Sequence, residues 1–183
     1  MQLQTILNRV EWHKSFVYAT VRFAGAERSV LEVEVRERAN SRPLCSGCGQ
    51  AGPGYDRLPK RRYEFVPLWA LAVYFLYAPR RVDCPRCGVK VERLPWAQGK
   101  SHLTTTYQWF LASWAKLLAW QQVANVFHTS WQSVYRSVQM AVAWGLTHRN
   151  LDGIEAIGVD EVQWQKGHHY LTLVYQIDGK CRR

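Results

Sequence analysis

Two short knuckles, Cys45-Ser46-Gly47-Cys48-Gly49 and Cys84-Pro85-Arg86-Cys87-Gly88, constrain this chain more than any other feature. A CxxC spacing sets two sulfurs on one side of a tight turn, and two such turns can surround one Zn²⁺ tetrahedrally. Gly49 and Gly88 supply the backbone freedom that turns successive N–H groups toward the sulfurs. A single CxxC is often just two small buried apolar side chains, and a redox pair usually needs one CxxC at a helix start. Two knuckles in tandem, each followed by glycine, favour zinc held by Cys45, Cys48, Cys84 and Cys87. Four thiolates leave no open coordination position, so the expected role is structural, with binding coupled to folding of a small β-rich unit. Cys181 is expected to be unpaired and inert.

The chain is 183 residues long with 48% apolar residues, enough for a packed core. Apolar and polar residues alternate from Phe16 to Phe23 and from Val30 to Arg38, predicting two strands joined by a turn with Val33 and Val35 inward. Ala70 to Tyr77 and Val89 to Leu94 read as further strands. After Gly99 the period lengthens: Leu103, Tyr107, Phe110, Leu111, Trp114 and Leu118 recur at helical spacing. Gln121 to Phe127 predicts a second helix, and Ser130 to Gly145 a third. Beyond Asn150 the period returns to two, with strands at Glu155 to Trp164 and His169 to Ile177 around a reversal at Gln165-Lys166-Gly167-His168, and another turn starting at Asp178-Gly179. The predicted class is α+β, divided as a β-rich zinc ribbon (1–97), a three-helix unit (98–150) and a β-hairpin (151–183).

Lys and Arg number 24 against 14 Asp and Glu, a net charge of +10 that points to a polyanion, nucleic acid first. Between Arg57 and Arg93 stand nine basic and three acidic residues, so Lys60, Arg61, Arg62, Arg80 and Arg81 are candidate phosphate contacts. A solvated charged face is the competing explanation. The second and third predicted helices fit a helix-turn-helix with its turn near His128-Thr129. Thr129 is the expected N-cap, in a capping box with Gln132. With Trp131, Val134, Tyr135 and Val138 turned inward, Ser130, Gln132, Ser133, Arg136 and Ser137 would face double-stranded DNA. An ordinary three-helix bundle has the same spacing. The longest apolar run, Leu68 to Ala78, lies between two prolines and is far short of the ~20 residues of a membrane span. No stretch has the pattern of a secretion signal, so the cytoplasm is expected.

Ile157-Gly158-Val159-Asp160-Glu161-Val162-Gln163-Trp164 places a carboxylate inside an apolar strand, costly unless it is paired, metal-bound or on a solvated edge. In its order of parts the chain resembles the ISL-three insertion-sequence family of DDE transposases, over nearly its whole length. CSGCG and CPRCG resemble that family's zinc ribbon, Leu103 to Gly145 its helix-turn-helix, and IGVDEVQWQKGHHYLTLVYQID the opening hairpin of its RNase H-like catalytic domain. The resemblance implies recognition of transposon terminal inverted repeats in the bacterial nucleoid. It also implies that Asp160 is the first catalytic carboxylate, which with two later acidic residues would hold two Mg²⁺ ions. The sequence stops where a third strand should begin, so Mg²⁺ is expected only in a complete catalytic domain, and strand transfer by these residues alone is not expected. A lone hairpin with an open edge is an expected route to a homo-oligomer. Two other expectations stand beside this one: a regulator that occupies transposon ends, and a zinc-stabilised protein-interaction module.

Overall fold

The computed structural model describes residues 2–177, so Cys181 and the turn at Asp178-Gly179 lie outside the described residues. The fold is α+β. Helix α1 (Leu3–Val10) is followed by strands β1 (Phe16–Ala24), β2 (Val30–Glu37), β3 (Gly54–Arg57), β4 (Arg61–Leu68), β5 (Leu71–Tyr77), β6 (Arg80–Cys84) and β7 (Gly88–Val91). Helices α2 (Thr105–Trp114), α3 (Trp120–Val126) and α4 (Trp131–His148) precede a hairpin of β8 (Ile157–Gln165) and β9 (His169–Gln176). The chain forms two compact units, 1–143 and 144–183. The β-rich part and the helices as far as Ala143 therefore belong to one unit, with no break at the expected boundary near residue 97.

In the first unit β1, β2, β5 and β4 form a four-stranded sheet in that order, antiparallel except for the β2–β5 pair. Parallel pairing needs a crossover, and here it is residues 38–70, which carry the first cysteine knuckle, β3 and β4. Alternation works as expected: Leu31, Val33 and Val35 are buried and join Tyr63, Phe65, Val73 and Phe75 on one face. Trp96 closes that core, edge-on to Phe16 (4.8 Å between ring centroids) and to Tyr77 (5.4 Å). The opening helix, absent from the periodicity reading, buries Leu7 there, and its Asn8 side chain pairs with both backbone groups of Tyr18 where β1 bulges.

The link into the helices is built on the sheet. Residues 102–104 lie along β4, with the Glu64 N–H donating to His102 O and the Thr104 N–H to Glu64 O. Thr104 then caps α2, its hydroxyl accepting from the Tyr107 N–H at 3.2 Å. Tyr107, Leu111, Val123, Ala124 and Val134 make the second core, tying α2, α3 and the first half of α4 together.

α3 ends with His128 in the left-handed region (φ 51°), and the Thr129 N–H closes back on Ala124 O at 3.0 Å. Thr129 is thereby consumed in ending α3, so the cap of α4 is Ser130, one residue later than expected. The Ser130 hydroxyl accepts from the Ser133 N–H at 3.1 Å. Val134 and Ser137 are the buried positions of α4, and Ser137 satisfies its hydroxyl by donating to Ser133 O at 2.7 Å. Trp131 and Tyr135, expected inside, are instead part-exposed and stacked on each other, with Trp120 against both.

In the second unit β8 and β9 pair antiparallel from Ile157 opposite Gln176 to Gln165 opposite His169, turning at 166–168 with Gly167 at φ 99°. Tyr175 lies across Gly158, where a Cβ would meet its ring at 2.5 Å.

Candidate functional site

The four knuckle cysteines are brought together from distant parts of the first unit. Cys45 is held against the far side of β7 by bridges that engage Leu44, Ser46 and Glu92, and Cys84 ends β6. The four sulfurs all lie within 4.8 Å of one another, with Cys48 and Cys84 Sγ 3.6 Å apart. Ligands at about 2.3 Å from a tetrahedral ion stand about 3.8 Å apart, so the cluster fits one metal ion such as zinc. The turns behave as their glycines predict. Gly49 (φ 74°) and Gly88 (φ 68°) take left-handed conformations, and a Cβ on Gly47 would press on Cys87 Sγ at 3.1 Å. Backbone N–H groups of Cys48 and Gly47 draw the Cys45 thiol down to about 7. The Cys48 side chain, burial and the other two sulfurs push Cys87 up to about 12. A cluster that readily makes its first thiolate and resists its last has the electrostatics that a bound cation relieves.

The basic residues singled out from sequence divide sharply. Arg80 is buried, and this corrects its reading as a phosphate contact: it forks onto Glu92 Oε2 through Nε (3.0 Å) and Nη2 (2.7 Å). Glu92 Oε1 also accepts from the Arg80 N–H at 2.7 Å and the Tyr77 hydroxyl at 2.6 Å. This network joins the cysteine-bearing sheet to the end of β5. Arg81 pairs with Asp56, holding that carboxyl below the usual range, and lies over Tyr55. Arg62 reaches Glu32 at 3.5 Å and covers the Tyr74 ring, while Lys60 reaches Glu34 at 3.4 Å. Arg61 is exposed. Strand register thus engages most of the run that looked like a phosphate stripe with carboxylates.

On α4, Gln132 and Arg136 are exposed, Ser133 is half-buried against Ser130, and Ser137 is fully buried. Ser137 therefore cannot be an outward contact, which corrects the expectation. Asp160 is exposed in β8 opposite Leu173, its Oδ1 accepting from the Glu161 N–H at 2.8 Å. The desolvation cost expected for it does not arise. Among the described residues the cysteine quartet is the one cluster of metal-binding side chains, and Asp160 joins no other.

Over 149 residues the chain is 30% identical to the transposase for insertion sequence element IS1557 of Mycobacterium tuberculosis, from two strains, covering 79% of this chain. It is 25% identical over 138 residues to the transposase for insertion sequence element IS1001 of Bordetella parapertussis. The chain is a homologue of insertion-sequence transposases. It spans about a third of the length of these curated relatives, 33% and 34%. No family model and no solved structure matches it. No helix among the described residues of this transposase homologue is long and apolar enough to cross a membrane.

Sequence reasoning singled out none of Lys14, Arg42 and Lys90, which form no ion pair among the described residues. Lys14 and Arg42 stand outside the basic stretch, so no run marks them.

Proposed function

We propose that this chain is the DNA-recognising N-terminal part of an insertion-sequence transposase of the ISL-three type, reading the element's terminal inverted repeats. The observation that carries the reading is α4: a four-residue link after α3, residues 127–130, delivers a capped helix whose Gln132 and Arg136 stand exposed beside the Trp131–Tyr135 stack. That is the arrangement by which a helix-turn-helix sets its second helix in the major groove, Gln pairing with adenine and Arg with guanine. The net charge of +10 supplies the attraction to duplex DNA. A structural zinc in the cysteine quartet, within a zinc ribbon, holds the β-rich half in shape.

The β8–β9 hairpin is read as the opening of an RNase H-like domain, with Asp160 as its first carboxylate. Two-metal phosphoryl transfer needs several carboxylates around one site, and the described residues gather none about Asp160. The 183 residues are therefore expected to bind DNA without cutting or joining it in Mg²⁺ or Mn²⁺.

Selection from a random duplex pool, followed by gel shifts in a salt series, tests the proposal. A selected sequence should bind tightly and weaken with salt, and Gln132→Ala or Arg136→Ala should each cost about 10–100-fold on it, or ~1–3 kcal/mol. Binding indifferent to both sequence and ionic strength would refute it.

A further inference from the structure

We infer that the backbone phosphates of bound DNA run through a basic groove built against the cysteine knuckles, and not over the ion-paired surface that carries Arg22, Arg36, Lys60 and Arg62. The inference rests on the DNA-binding reading above and adds to it a second contact surface, separate from α4.

The first observation is where cations already meet carboxylates. Along β2, Arg22 and Arg62 share Glu32, Arg36 and Lys60 share Glu34, and Arg57 holds Glu37. Those five cations already engage three carboxylates, so a phosphate there must displace a carboxylate or sit beside it.

The second is where cations gather without one. A cavity of about 450 Å³ is lined by Lys14, Arg42 and Arg93, and a second of about 540 Å³ by Arg61, Lys90 and the same Arg93. The two cavities share Glu92, Arg93, Leu94 and Gln98 in their walls, so they adjoin along this one segment, with Arg93 bordering both, as a basic trough in two parts. None of these five cations pairs with a carboxylate among the described residues. The one acidic residue in the walls is Glu92, and it is spent on Arg80 and Tyr77 with its side chain 1% exposed. A trough with five uncompensated positive charges and no available negative one suits successive phosphates along a strand, and Ser15, Ser46 and Gln98 add polar groups to its walls.

The third is rigidity. The Arg93 N–H donates to Leu44 O at 2.7 Å and the Ser46 N–H to Val91 O at 3.3 Å, so the first knuckle and the strand after the second hold the trough between them. The cysteine cluster thus fixes the spacing of Arg42 and Arg93 relative to each other, which a flexible basic tail would not.

Two measurements on the full chain test the inference. In fluorescence anisotropy with duplex DNA, log K falls with log salt by about 0.9 per phosphate neutralised. The variant Lys14→Gln/Arg42→Gln/Arg93→Gln should flatten that slope by about 2–3, whereas Arg22→Gln/Arg36→Gln/Lys60→Gln, an equal change of charge on the ion-paired face, should flatten it by less than about 1. Equal slopes for the two variants would overturn the groove. Separately, inorganic pyrophosphate should shift the side-chain Nε–H resonances of Arg42 and Arg93, identified by Arg→Lys substitution, and leave those of Arg22 and Arg36 in place. If pyrophosphate moves none of them, the groove is not a phosphate site, whether or not duplex DNA binds. If it moves Arg42 and Arg93 while duplex DNA is ignored, the phosphate chemistry stands and the duplex reading falls. Tighter binding to an RNA duplex of the same sequence would overturn the assignment to DNA.

Discussion

Glu92→Gln exchanges one carboxylate oxygen for an NH₂ and changes almost no volume, yet it should be among the most damaging single substitutions in the first unit. Glu92 Oε2 takes two guanidinium N–H groups of Arg80 and Oε1 takes a phenol and a backbone N–H, with side chains 1% and 11% exposed for Glu92 and Arg80. The amide keeps one oxygen acceptor but turns an NH₂ toward groups that are themselves donors. Arg80 is then a nearly buried cation without a carboxylate, left with at most the neutral amide oxygen and Ser41 O at 3.1 Å as acceptors. Removing one partner of a buried ion pair costs about 3–5 kcal/mol, and Arg80's residual exposure argues for the lower end, ~3 kcal/mol. At about 2–4 °C per kcal/mol for a unit of this size, the melting temperature should fall by ~6–12 °C. Thermal melts followed by tryptophan fluorescence suit the measurement, since Trp96 is buried beside Tyr77. The double variant Arg80→Met/Glu92→Leu removes both charges and should recover much of the loss, because an apolar pair avoids the uncompensated charge. A shift under about 2 °C for Glu92→Gln, or a double variant no better than the single, would refute the reasoning.

Three further outcomes follow from the same geometry. Burial raises the pKa of Glu64, so the folded state holds its proton more tightly than the unfolded chain, and stability falls as pH climbs through and above the ordinary glutamate range. Glu64→Gln should therefore be more stable than the parent at pH 7 in urea titrations, with the advantage vanishing in acid; a gain that persists at low pH would contradict this. Ser130→Ala removes the cap of α4 and should cost about 1 kcal/mol, whereas Thr129→Ala should cost clearly less, which paired denaturation curves would show. Chelation, or Cys84→Ser, should remove the bound metal and lower the melting temperature. Metal affinity should weaken as pH falls because the ligands bind as thiolates; metal analysis across a pH series checks both.

Local pattern was enough wherever a residue's neighbours in sequence decide its state. The β1–β2 hairpin, the three later helices and the β8–β9 hairpin follow from spacing and turn residues, since each is held by contacts within some twenty residues, and the turn of each cysteine knuckle is as local. The α4 cap was missed by one residue for a local but competitive reason: Thr129 and Ser130 are both good caps, and the Thr129 N–H is used to close α3. Helix α1 carried too short a period to stand out, and its Asn8 and Leu7 make sense only against β1.

Sequence by itself determined the composition of the charged surface: how many cations there are, and that they exceed the anions by ten. Only the tertiary structure decided which of them are free. Strand register, set between residues tens of positions apart, puts Glu32 and Glu34 beside Arg62 and Lys60 and buries Glu92 against Arg80. It leaves Lys14, Arg42 and Arg93 around one cavity whose single carboxylate, Glu92, is held by Arg80. Charge cancels over a few ångströms of space, and a linear sequence does not carry that distance until the sheet is built.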